Sequence, residues 1–498
     1  MRETIRILRK DVRHAWPQLG GWLALLAAYA VADALLPRHP QIQFASLMIA
    51  VPLAVGAFFL VATAVFEEAL PGDRQYWPTR PYHWRSLLAA KLLFVVLFFH
   101  LPLLVSEITA LLVNGESLTA NASVILDRQL AFAFCMLGVV AVAVITRNLV
   151  QFTLVLLGAV AWLFLETSAL VAWLHGSPDL GVPEWVRDDT MLVLCAAFVA
   201  VILVLQYARR RTLPSRLSAC GFLALLPMSQ TLFPWPDWAF RMESRDVPGV
   251  RISFDPTRPS RAVPMTWWPE ERSVVIGVPV RVDGIPSNQA VLAERVQVRI
   301  AAPGGRSWQS KWRPGGMSLY SEPTSGQQPV AAKLIEGDRP DQILAANVDL
   351  AFFDTVKNLP VTLRVSLALS LMSAGETSRL PIPAAVRRLP GAGLCSVTVA
   401  RGFVAVPCFT ARKPDWSEIR LVSLRSGEPG QPYTWSQGLF SVWASTGGAG
   451  YTPPPAPADV VIRTRERICV FERTLEIHAI RLAAYEVGRT PRFMVGTK

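Results

Sequence analysis

FEEALPGDRQYWPTRPYHWRSLLAAKLLF, Phe66 to Phe94, lies between two long apolar runs. It opens on the carboxylates Glu67 and Glu68 and turns at Pro71–Gly72. It then carries Arg74, Arg80 and Arg85 among Tyr76, Trp77, Tyr82 and Trp84, and re-enters apolar sequence at Lys91. Each flanking run approaches the roughly 20 apolar residues that cross a bilayer, so the stretch decides for a membrane fold. Asp73 is placed to cap a single helical turn through Trp77, which Pro78 and Pro81 stop. The connector therefore reads as a short interfacial helix, aromatic toward lipid and basic or polar toward water.

Working outward, seven apolar runs can be drawn: Pro17–Leu36, Phe44–Phe66, Ser86–Val113, Gln129–Thr146, Leu149–Trp173, Met191–Ala208 and Leu217–Phe233. Basic residues alternate between the loops. Arg2, Arg6, Arg9, Lys10 and Arg13 precede the first run, and Arg74, Arg80 and Arg85 follow the second. Arg147 follows the fourth, and Arg209, Arg210, Arg211 and Arg216 the sixth. The opposite loops carry only Arg38, Arg128 and Arg187. The excess of positive charge on one side predicts a cytoplasmic N-terminus. The last run is the most diluted, by Ser218, Pro227, Ser229 and Gln230, yet Trp235 and Trp238 close it as interfacial anchors. If it crosses, everything beyond it lies outside the cytoplasm.

Beyond about residue 235 the pattern changes to period two, in SVVIGVPVRVDG from Ser273, RVQVRIAA from Arg295 and NLPVTLRVSLALSL from Asn358. CSVTVARGFVAVPCF from Cys395, EIRLVSL from Glu418 and ADVVIRT from Ala458 continue it. Short alternating strands between Pro- and Gly-rich turns predict one or two antiparallel β-sandwiches. The expected organisation is a helical membrane domain of about seven transmembrane helices over residues 1–235. An extracytoplasmic all-β region follows, as domains over 236–385 and 386–498. A two-residue hairpin turn at Arg401–Gly402 would set Cys395 opposite Cys408, close enough for a disulfide. Free buried thiols are the other reading of an odd cysteine count.

The formal net charge of +12 does not point to nucleic acid, because the basic residues flank apolar runs and no recognition motif accompanies them. No G-x-x-x-x-G-K-[ST] phosphate loop, H-E-x-x-H or G-x-S-x-G occurs, and the six His lack metal-ligand spacing. No metal, cofactor or catalytic residue is therefore expected. Three carboxylates fall inside apolar runs: Asp33, Glu107 and Glu166. A charge at the centre of a bilayer costs about 2.5–3.5 kcal/mol on insertion scales, so such residues face a bundle interior or water. They are candidates for an outward vestibule, or for bonding to neighbours such as Ser106, Thr109, Thr167 or Ser168. Trp267–Trp268 and Trp308 with Trp312 are candidates for stacking on sugars or for core packing.

The order Glu67-Glu68, Gly72, Thr79-Arg80-Pro81, Leu87-Leu88, Lys91 resembles the coupling region of ABC-2 type transporter permeases. The basic amphipathic stretch Ile7 to Trp16 is similar to the start of many of them. The resemblance covers roughly the first 235 residues; a seventh span and a large C-terminal region depart from the family's six-span pattern. It implies the permease subunit of a bacterial inner-membrane exporter, working as a homo- or heterodimer with a cytoplasmic ATPase subunit that binds the ATP. Glu67, Glu68, Asp73, Arg74, Tyr76, Arg80 and Arg85 would form the ATPase-docking surface, with Glu67 and Glu68 in reach of Arg80 or Arg85. The alternative is a polytopic anchor that displays a β-sandwich binding module without transport.

Overall fold

The computed structural model describes residues 2–67, 83–173, 184–231, 242–258, 273–310, 312–314, 319–321, 334–337, 341–400, 403–423, 434–437, 440–447 and 458–489. Helices come first: α1 Arg2–Leu35, α2 Gln43–Phe66, α3 Trp84–Val95, α4 Leu101–Val113, α5 Ala122–Ile145, α6 Leu149–Trp173, α7 Glu184–Leu203 and α8 Thr212–Thr231. A π turn at Val96–His100 joins α3 to α4. Its cause lies at Pro102, which has no N–H to give the carbonyl of Phe98, so the ladder widens there instead of breaking.

Each of the seven expected runs is helical over its described residues, apart from Leu36 and Thr146, which each lie one residue past a helix end. Among the described residues, four segments are long and apolar enough to cross a membrane: Arg2–Leu35, Pro40–Phe66, Trp84–Val113 and Ala122–Ile145. That corrects the expected seven. Leu149–Trp162 and Leu192–Ala208 are shorter apolar stretches, and α8 carries the polar residues that dilute its run.

By compactness the chain forms two units. One holds Met1–Gly176, Arg187–Phe233 and Thr377–Thr464, the other Ser177–Val186, Pro234–Glu376 and Arg465–Lys498. The second is a two-sheet sandwich. Its first sheet has the order β1-β2-β8-β6 with β20 also on β2, where β1 is Arg251–Phe254, β2 Ser273–Asp283, β6 Leu319–Ser321, β8 Asp341–Asp349 and β20 Glu486–Arg489. The other has the order β19-β9-β3-β4, with β5 and β7 also on β3. Here β3 is Ala290–Ala301, β4 Ser307–Gln309, β5 Arg313–Pro314, β7 Leu334–Glu336, β9 Val361–Met372 and β19 Arg467–Ile480.

Alternation builds the sandwich core. Val274, Ile276, Val278, Val280 and Val282 of β2 are buried with Val361, Leu363, Val365, Leu367 and Leu369 of β9. In β3 a register shift between Ala293 and Arg295 changes the parity of the buried set, from Val291 and Ala293 to Val296, Val298 and Ile300. One extra residue turns every later side chain to the other face, so the bulge keeps both halves of the strand apolar toward the core.

The β part of the first unit contains β10 Glu376–Pro381, β11 Ala384–Leu389, β12 Gly393–Ala400, β13 Phe403–Ala405, β14 Cys408–Thr410, β15 Trp416–Ser423, β16 Thr434–Gln437, β17 Ala444–Gly447 and β18 Ala458–Arg465. They form the sheets β10-β18-β15 and β11-β12-β14-β17-β16, with β13 on β12. Residues 377–464 interrupt the sequence between β9 and β19, two strands that pair with each other from Arg467↔Met372 to Ile480↔Val361. Ser373 N donates to Glu466 O at 2.8 Å, so the chain leaves and returns at adjacent points. This discontinuous division differs from the expected blocks 236–385 and 386–498: β19 and β20 complete the sandwich that starts near residue 250, because β19 supplies the edge that β9 needs.

Candidate functional site at the two ends of the first helix

The buried face of α1 reads Ile7, Asp11, Ala15, Leu19, Trp22, Leu26, Tyr29, Asp33. Steps of three and four keep these residues on one side of a helix, and the stripe runs through Pro17 without a gap. Two of its members are aspartates. Their partners define the two ends of the site.

At the connector end, Lys91 Nζ of α3 donates to Asp11 Oδ2 at 2.7 Å and to Ala64 O at 2.7 Å. Lys91 and Asp11 are 2% and 1% exposed. Ala64 lies in the last turn of α2, where carbonyls run out of helical partners. One ammonium thus ties three helices. Removing one partner of such a pair strands a buried charge, at a cost of about 3–5 kcal/mol. Glu67, the C-cap of α2, meets His14 of α1 with Oε1 and Nε2 3.4 Å apart. Burial pushes the Glu67 carboxyl above its usual range, against the opposing pull of His14 and Lys91. On the other flank His83 N donates to Glu3 Oε1 at 3.3 Å.

Of the expected docking residues, Glu68, Asp73, Arg74, Tyr76 and Arg80 lie outside the described residues. Glu67 pairs with α1, and Arg85 is exposed with its guanidinium 5.4 Å from the Trp84 ring centroid; a pairing of Glu67 with Arg85 is not what forms. Both described flanks of the connector rest on α1.

At the far end Asp33 is 2% exposed. Its Oδ2 accepts from Val442 N at 3.4 Å, and its backbone carbonyl accepts from Trp443 Nε1 at 3.0 Å. Trp443 and Val442 pack with Phe409 and Ala411 against Ala34 of α1, Leu36 just beyond it, and Ala110 and Leu111 of α4. Phe440 reaches further, into the core of the helices, edge-on to Tyr29 at 6.2 Å and to Phe132 at 5.7 Å. Beside it, Asn114 caps the neighbouring helix end by donating to Ala34 O at 2.7 Å. Arg388 of β11 donates to Glu116 Oε1 at 2.7 Å and also to the Asn114 carbonyl.

Glu107 has partners from α5: Gln129 Nε2 donates to Oε2 at 3.0 Å, and Arg128 Nε stands 3.8 Å from Oε1. Gln129 Oε1 lies 3.3 Å from His100 Nδ1 in the π turn. A cleft of about 430 Å³ runs alongside, bordered by Val96, His100, Leu104, Ile125 and Gln129. Asp33 and Glu107 therefore bond across elements and not to the sequence neighbours expected for them. The side chain of Glu166 lies outside the described residues. Cys395 and Cys408 form a disulfide, opposite each other in the β12–β14 register. Trp308 stacks on Phe352 at 6.4 Å, and Trp312 lies under the Arg295 guanidinium at 5.5 Å. No group of three His, Cys, Asp or Glu that could hold a metal occurs among the described residues.

Sequence reasoning passed over two features. Asp11 reads as one charge in a basic stretch, and Lys91 as the end of the connector. The usable signal was a lysine followed directly by apolar sequence, since a cation at that depth needs a partner. The Val442–Trp443 contact had none, because it joins residues far apart in the chain. No family model, curated protein or solved structure matches the chain.

Proposed function

We propose that the chain is the membrane-spanning permease subunit of an ATP-driven, ABC-2 type exporter in a bacterial inner membrane. The connector between α2 and α3 docks a cytoplasmic ATPase subunit that binds and hydrolyses the ATP. The protein works as a homo- or heterodimer, its N-terminus cytoplasmic and its β region on the opposite side. One observation carries the reading most: both described flanks of the connector are tied to α1, with the buried Lys91–Asp11 pair as the firmest contact. A push on the connector therefore reaches α1, α2 and α3 together, as a coupling segment requires. The anchor reading has less support, because residues 440–443 are seated among the helices instead of standing free for a ligand.

The test is co-purification with an ATPase encoded beside this chain. Arg80→Glu with Arg85→Glu is expected to abolish the complex while the protein still inserts in the membrane. Association that survives the charge reversal overturns the docking role. The sidedness is checked by Asp415→Cys in a background stripped of free cysteines. Labelling by an impermeant thiol reagent in intact cells is expected; labelling only after lysis places the β region in the cytoplasm.

A further inference from the structure

We infer that α1 is a rigid link that carries displacement of the connector through the helical region to the 377–464 β domain, seated on it by Phe440–Trp443. The two anchors are Lys91–Asp11 and Trp443–Asp33. At about 1.5 Å per residue they stand about 33 Å apart along the helix. The link goes beyond the proposed activity and does not depend on which partner occupies the connector.

Three features make the helix a transmitter and not merely a neighbour of both sites. Both anchors sit on one continuous buried stripe, so a shift of the helix disturbs both. Each anchor is specific in geometry: an ammonium held by a carboxylate and a carbonyl at 2.7 Å, and an indole N–H aimed at a carbonyl at 3.0 Å. Neither contact tolerates a gradual slide, since hydrogen bonds weaken steeply as they lengthen and bend. Midway, Trp22 Nε1 donates to Leu53 O at 2.9 Å, and a Cβ added at Gly56 would stand 3.1 Å from Trp22 Cδ1. A side chain at that position would crowd the indole, so the close approach of Trp22 at Gly56, with its hydrogen bond to Leu53, helps set the register of α1 on α2. Close-packed elements move between discrete arrangements and do not deform continuously. Coupling of this kind is reciprocal: loosening either anchor must loosen the other.

Deuterium exchange of the full chain in lipid nanodiscs tests the link. Asp11→Leu with Lys91→Leu removes the inner pair without stranding a charge. Exchange at residues 440–447 is expected to rise about tenfold, the factor that 1.4 kcal/mol makes in an opening equilibrium, with β9 unchanged. Should the double variant fail to fold, Trp443→Phe gives the reverse arm. It keeps the ring and removes the donor, and exchange at 83–91 is expected to rise about threefold, a factor within the range of one lost hydrogen bond. Changes confined to the mutated end in either arm overturn the proposal. So does a rise spread evenly over α1, α5 and 440–447, which is loss of fold and not transmission.

Discussion

The two β regions of this chain hold themselves together in different ways. The sandwich pairs long strands: β9 lies between β19 and β3, and its core includes Phe353 and Phe471 among aliphatic side chains. The 377–464 region has mostly shorter strands and, among the described residues, a core without aromatic side chains, built from Leu380, Leu389, Val397, Val404, Val406, Ile419, Val460 and Ile462 around the Cys395–Cys408 bridge. Its aromatic residues Phe409, Phe440 and Trp443 pack against the helices instead. Aromatic side chains supply much of core packing energy. The sandwich has such residues in its own core, whereas the 377–464 region packs Phe409, Phe440 and Trp443 with α1, α4 and α5. One is a domain by its own core; the other is completed by the apolar helices.

Four variants can break or sharpen that contrast. The largest effect is expected from Trp443→Ala, which empties a fully buried aromatic site at a cost of about 3–5 kcal/mol. Limited proteolysis should then show the 377–464 strands and the adjoining ends of α1 and α4 opening together. Phe471→Ala carries a similar cost of about 3–5 kcal/mol, confined to the sandwich. If Trp443→Ala opens only its own strands, the shared-core contrast fails.

Next comes Cys395→Ala with Cys408→Ala. The bridge closes a loop of sequence separation 13, and its loss is expected to cost about 3 kcal/mol on the chain-entropy estimate. A thermal melt with and without reductant should move for the 377–464 region and stay fixed for the sandwich. An unchanged melt of the small domain would show that the helices, not the bridge, set its stability. The smallest effect belongs to Arg388→Ala. Arg388 is 45% exposed where it meets Glu116, so about 1 kcal/mol or less is expected in the same melt.

Much of this was legible in residues taken a few at a time. Period-two runs marked β2, β3, β9, β12, β15 and β18, and counting back from Arg401–Gly402 set Cys395 opposite Cys408. Apolar length marked four spans that the helices bear out among the described residues, and overcounted at the last three runs, α6 to α8, the last of them diluted by polar residues. What escaped is non-local. Asp11 meets Lys91 across 80 positions and Asp33 meets Trp443 across 410; local periodicity carries no trace of either partner. The division of the β region escaped for the same reason. Nothing near residue 467 tells a strand that its partner lies at residue 372, on the other side of an intervening domain.

The connection between the two ends of α1 is tested most directly by a double-mutant cycle that combines the charge-neutral pair Asp11→Leu with Lys91→Leu as one arm and Trp443→Phe as the other, reading the opening free energy of residues 440–447 by deuterium exchange. Sites this far apart with no shared partner add to within about 0.3–0.5 kcal/mol. A rigid α1 predicts a coupling energy clearly above that range, because the first loss already frees the helix that the second would release. Strict additivity, with each substitution felt only at its own end, would contradict the link.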